Sequence, residues 1–157
     1  MKTTDYLSLD TNATKKISDE LQSLLADFQV YYTNLRGFHW NVKGRQFYRL
    51  HNEFEELYDE VADQIDEIAE RILMLGETPL HNFSDYLKKN DIKESGVVAK
   101  GDDAMKLVLD YLKILLAKER KIVEMASEVN DEGTIDLIAG YIASQEKTIW
   151  LIASYLS

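Results

Sequence analysis

Four long runs of apolar residues, spaced at alternating steps of three and four, constrain this chain more than any other feature. In the first, Ile17, Leu21, Leu24, Phe28, Tyr31, Leu35 and Phe38 share one helical face. Asn12 or Thr14 is the expected cap at its start, and Gly44 falls in the turn that ends it. The second runs from about Gln46 to Leu75, with Phe47, Leu50, Phe54, Leu57, Val61, Ile65, Ile68, Ile72 and Leu75 facing inward. "GETP" stops it, because Pro79 can neither donate a hydrogen bond nor continue a helix. A third pattern spans Asp102 to Val129, starting at Asp102 or Asp103, with Met105, Val108, Leu112, Leu115, Ile122 and Met125 on its core face. After the turn "NDEG", a fourth passes through Ile135, Ile138, Ile142, Ile149, Ile152 and Leu156. The chain has a single proline, so nothing inside these runs breaks them.

The links between the runs differ in length. Two are short enough to allow only antiparallel hairpins. The link from Gly76 to Gly101 is roughly twenty-five residues long, and "NFSDYLKK" within it reads as a short helix. Such a link can cross the full length of a bundle. Two hairpins joined by one long crossover make an all-α, ferritin-like four-helix bundle. The 157 residues form one domain, with residues 1–12 as a short N-terminal extension.

The absence of cysteine excludes disulfides, thiolate zinc sites and cysteine nucleophiles. The opening residues lack the apolar stretch of a signal peptide, and no later segment resembles a membrane span, so the expectation is a soluble cytoplasmic protein. A formal charge of −10 suits a protein that attracts cations and opposes a nucleic-acid-binding surface. Up to Lys16, Lys2, Lys15 and Lys16 face Asp5 and Asp10, a balance of only +1. Neither end carries a Lys- or Arg-rich tail, and DNA binding is not expected.

The second helix carries the chemistry. At about 100° per residue, and taking His51 as zero, Glu55 lies near 40°, Asp66 near 60° and Glu70 near 100°. All four share one stripe beside the core face. Yet Glu55 and Asp66 are about 16 Å apart along the axis, too far to share an ion. A second copy packed antiparallel about a two-fold axis near Glu60 and Val61 resolves this, because the His51–Glu55 half of one subunit then meets the Asp66–Glu70 half of the other. His39, at the end of the first helix, is a candidate for a further nitrogen. Two imidazoles and three carboxylates suit iron. No histidine has a glutamate three residues before it, which weighs against an iron site inside one bundle.

"FHWNVKG", "F-x-x-LH-x-x-F-E" and "D-x-x-x-x-x-x-D-E-I-A-E-R", with the "IWLIASYL" ending and the long crossover, resemble the Dps family of mini-ferritins (DNA-binding proteins from starved cells) over essentially the whole chain. The resemblance implies a hollow homododecamer of tetrahedral symmetry. Such a shell oxidises ferrous iron, preferably with hydrogen peroxide, stores the ferric mineral and protects against oxidative stress. It implies a ferroxidase site of at most two iron ions. His39, His51 and Glu55 would come from one subunit, and Asp66 and bridging Glu70 from its two-fold mate. Many family members have aspartate where this chain has Glu55, a longer arm of the same charge. The turn around "NDEG" corresponds to three-fold pores lined with acidic residues, which makes Asp131 and Asp136 pore candidates alongside the simpler reading of helix capping.

Trp40 and Tyr48 border the stripe, with two readings open: aromatic packing at an interface, or uptake of stray oxidising equivalents. His81, in the crossover, reads as an ordinary loop residue. A nucleoid-binding structural protein and a small di-iron redox enzyme are the competing functions; the first calls for a basic tail, the second for an intra-bundle site.

Overall fold

The computed structural model describes residues 3–157. Among them it contains only helices: α1 (Thr4–Leu7), α2 (Thr11–Asn41), α3 (Phe47–Met74), α4 (Phe83–Lys89), α5 (Gly101–Ser127) and α6 (Glu132–Leu156). The four long patterns are α2, α3, α5 and α6, and α4 is the short crossover helix. Helices α2 and α3 pack as one hairpin and α5 and α6 as the other. No helix among the described residues is long and apolar enough to cross a membrane.

The expected faces are the buried ones. Leu21, Leu24, Phe28, Leu35 and Phe38 of α2 meet Phe54, Ile68 and Ile72 of α3, Val108, Leu115 and Ile122 of α5, and Ile138 of α6 in one core. Each large side chain buried this way contributes about 1.5–3 kcal/mol of transfer free energy. Phe38 and Phe54 are tilted together with ring centroids 5.6 Å apart, tying α2 to α3 at the end of the bundle where the histidines lie.

The boundaries correct the sequence reading in places. Helix α2 starts at Thr11, inside the stretch expected to be an extension, and α1 precedes it. Its cap is Asp10, not Asn12 or Thr14: Asp10 has the extended backbone that capping needs, and its carboxylate accepts from the Ala13 amide at 2.8 Å. Thr14 is buried, and its hydroxyl donates to the Thr11 carbonyl. Asp102 and Asp103 lie in the first turn of α5, where negative charge suits the helix dipole, while Lys100 occupies the cap position. Lys2, counted above in the N-terminal charge balance, lies outside the described residues.

The crossover is held by polar side chains of α2. Gln22 donates to the Thr78 carbonyl and accepts from the Leu80 amide. Buried Asp27 accepts from the amides of Asp91 and Ile92 at 2.6 and 2.8 Å and pairs with Lys118 of α5. Asn34 donates to the Lys93 carbonyl and accepts from the Ser95 amide. Finally the Lys43 amide donates to the Ala99 carbonyl. Contacts therefore advance along α2 as the crossover advances, so α5 begins beside the end of α2 and runs antiparallel to it. The junction is tight. A β-carbon on Gly101 would lie 2.1 Å from Leu50 Cδ1, so any larger residue there would force the Leu50 side chain to move. Gly44, at φ 109°, makes the turn between α2 and α3.

Candidate metal centre

The turn at Gly44 folds the start of α3 back on the end of α2 and brings His39 against His51. Their rings stack with centroids 3.7 Å apart and planes 19° from parallel. Each imidazole then bonds the other residue's backbone: His39 Nδ1 lies 2.7 Å from the His51 carbonyl oxygen, and His51 Nδ1 lies 2.9 Å from that of His39. A carbonyl only accepts, so both Nδ1 atoms carry hydrogen. In the neutral rings this leaves both Nε2 lone pairs free for a metal.

Glu55, one turn along α3 from His51, completes a local group. One ligand atom from each of His39, His51 and Glu55 lies within 4.8 Å of the others, the only such group of three among the described residues. His39 is buried, His51 half-buried and Glu55 exposed, so the group faces outward from the bundle. Phe47 stacks on the far side of His51 at 5.0 Å. Tyr58 sets its ring edge against His39 at 5.4 Å, and its hydroxyl donates to Glu55 Oε1 at 3.4 Å. Desolvation first, then the charges of Glu55 and Asp59, push the Tyr58 phenol above its ordinary pKa. A neutral phenol suits a hydrogen-bond donor that orients Glu55.

Asp66 and Glu70 do not join this group. Both are exposed further along α3, at the far end of the same stripe. One chain therefore brings three candidate ligands together and presents two more carboxylates elsewhere. Trp40 and Tyr48 are 66% and 84% exposed. Trp40 stacks with the Arg36 guanidinium at 5.1 Å, and Tyr48 meets Phe47 edge-on.

The two pore candidates part company. Asp131 is 2% exposed. It caps α6 by accepting from the Thr134 amide, takes the Thr134 hydroxyl, and forms a short ion pair with Arg71 of α3. Those bonds occupy its carboxylate and account for it as a cap. Asp136 is exposed on α6. The Arg71–Asp131 pair joins residues sixty positions apart, and no local spacing in the sequence signals it. Glu119 also escaped notice, although a signal existed: it falls one step of four beyond Leu115, in register with the apolar stripe, and it is fully buried.

A bundle of two hairpins joined by a long crossover, with histidines and a carboxylate gathered at one end, defines a ferritin-like protein. The ferritin-like domain family matches residues 18–157. The chain is 50% identical over 135 residues to a "DNA protection during starvation protein" of Porphyromonas gingivalis, covering 86% of this chain and 85% of that one. It is 37% identical over 143 residues to "DNA protection during starvation protein 2" of Bacillus anthracis, covering 91% and 98%. Its fold superposes with a TM-score of 0.95 on the crystal structure of a Dps protein from Vibrio cholerae O1, described as a member of a superfamily of ferritin-like diiron-carboxylate proteins. That pair is 44% identical, with 97% and 96% of the two chains covered. The chain belongs to the Dps family.

Proposed function

We propose that this protein takes up ferrous iron at sites shared between two-fold-related subunits, oxidises it with hydrogen peroxide, and stores the ferric product inside a hollow dodecamer. The observation that carries the reading is the reciprocal bonding of His39 and His51, which frees two Nε2 lone pairs beside Glu55. Three ligands on one chain leave a metal site incomplete. Asp66 and Glu70 of a second copy, brought across by antiparallel packing of α3, are the groups of right charge to finish it. The two-fold arrangement yields two equivalent sites per dimer.

In the reaction, each of two ferrous ions gives one electron to a peroxide. The O–O bond breaks, both oxygens leave as water with two protons from solution, and no hydroxyl radical is released. The oxygen-rich, acidic ligand set favours the ferric product over the ferrous substrate. Protection of DNA would then come from removal of iron and peroxide.

Mixed subunits test the shared site. His51→Ala/Glu55→Ala subunits and Asp66→Ala/Glu70→Ala subunits are each expected to be inactive in rapid iron oxidation. A mixed dimer collects both damaged halves in one site and leaves the other intact, so reassembled mixtures should recover activity. Verified mixed assemblies that stay inactive would refute the shared site.

A further inference from the structure

Far from the histidine pair, in the middle of the bundle, two buried side chains of facing helices share a hydrogen bond that leaves each one atom short. Gln145 of α6 donates from Nε2 to Glu119 Oε1 at 2.6 Å. Glu119 is 0% and Gln145 6% exposed. Glu119 Oε2 and Gln145 Oε1 are both buried without a partner. Both leftover atoms are acceptors if Glu119 is ionised. An acceptor buried without a donor loses its hydration and gains nothing in return. These two are also the atoms that a carboxylic acid and an amide join when they pair reciprocally, with N–H to one acid oxygen and acid O–H to the amide oxygen. One hydrogen satisfies both.

We propose that Glu119 and Gln145 form a proton-binding site at the centre of the bundle, in which neutral Glu119 donates from Oε2 to Gln145 Oε1. The surroundings agree from every packed side. From α2, Tyr31 is a buried phenol; from α6, Tyr141 donates to Glu67 of α3 at 2.6 Å; Glu60 of α3 accepts from Gln64 and from Ser144. Arg120, on Glu119's own helix, is the nearby cation, but it is 58% exposed and engaged with Glu146. Among the described residues, no cation bonds to the pair. Burial raises Glu119 to about 7, against the opposing effects of the Gln145 bond and Arg120. The phenols of Tyr31 and Tyr141 are pushed up too, chiefly by burial and further by neighbouring carboxylates, so neither competes as an acid. The proton therefore exchanges within the range where cells operate.

The folded chain keeps a proton on Glu119 that the unfolded chain has released, so this pair's contribution to stability is full below about pH 4.5, declines as pH rises to about 7, then levels off. Integrated over that interval, the folding equilibrium loses about 300-fold. Glu119→Gln copies the neutral acid: its own amide supplies the missing donor.

Infrared difference spectroscopy on the intact assembly, with carbon-13 glutamate, reads the proton directly. The expected result is a neutral carboxyl carbonyl band at about pH 6 that disappears by about pH 9 and is missing from Glu119→Gln. Denaturation at fixed protein concentration should show that variant at least as stable as the parent above about pH 7 and without the parent's decline. Absence of the band in the parent at about pH 6 would overturn the proposal and leave ionised Glu119 held by a bridging water. A Glu119→Gln protein less stable than the parent across the range would do the same. The parent spectrum decides the matter even if the variant fails to fold.

Discussion

Removing Asp27 should loosen the crossover before it unfolds the bundle. Its carboxylate is 0% exposed and holds three groups: the Asp91 amide at 2.6 Å, the Ile92 amide at 2.8 Å and the Lys118 ammonium. Asp27→Ala takes away all three bonds. The Ile92 amide is left buried without an acceptor, at about 1–3 kcal/mol. Breaking a buried ion pair typically costs about 3–5 kcal/mol because the surviving charge is stranded. Here that figure falls toward its lower end, because Lys118 keeps a second partner in Asp91 at 2.9 Å. Desolvation lowers the Lys118 pKa, but its two carboxylates outweigh that and hold it above the ordinary value. The terms overlap, so the expected total is about 3–5 kcal/mol. Asp27→Asn keeps one oxygen as acceptor for both amides but turns its NH2 group toward the ammonium, and about 2 kcal/mol is expected. Hydrogen exchange at the Asp91 and Ile92 amides gives the local reading, and denaturation at fixed protein concentration the global one. Both variants should lose protection at those two amides first. A loss below about 1 kcal/mol for Asp27→Ala, or unchanged exchange there, would show that Asp27 does not hold the crossover.

His39→Asn keeps an amide N–H near the position of Nδ1 and deletes Nε2, so the fold should hold while ferrous binding and rapid oxidation fall by about 10–100-fold or more; unchanged iron titrations would remove His39 from the ligand set. For nucleic acid the expectation stays negative. Lys43, Arg45, Lys100 and Lys106 border one groove, but Asp102 and Asp103 line it with them. A gel shift at about 150 mM salt with chelator present should show no retarded complex, and one that weakens steeply with added salt would reverse the conclusion.

Spacing alone determined the four long helices, because a helical stripe of apolar residues stays amphipathic whatever it packs against. Pro79, the hairpin turns and the length of the crossover then left few ways to connect them. The same arithmetic placed His51 and Glu55 one turn apart and set Asp66 and Glu70 beyond their reach. What it could not supply was partners. Periodicity says which face a residue lies on and nothing about what meets it. Gln22, Asp27 and Asn34 interrupt the pattern of α2 as ordinary polar residues would, yet each bonds backbone fifty-six to sixty-five positions away. Arg71 and Asp131, likewise, pair only because α3 and the turn before α6 converge. Glu119 sits on the core stripe, where its charge contradicts its position, and the Gln145 amide that resolves the contradiction comes from another helix. The histidines themselves were legible as candidates. Their tautomers were not, because the hydrogen on each Nδ1 is fixed by a carbonyl that the turn at Gly44 brings within 3 Å only in the folded chain.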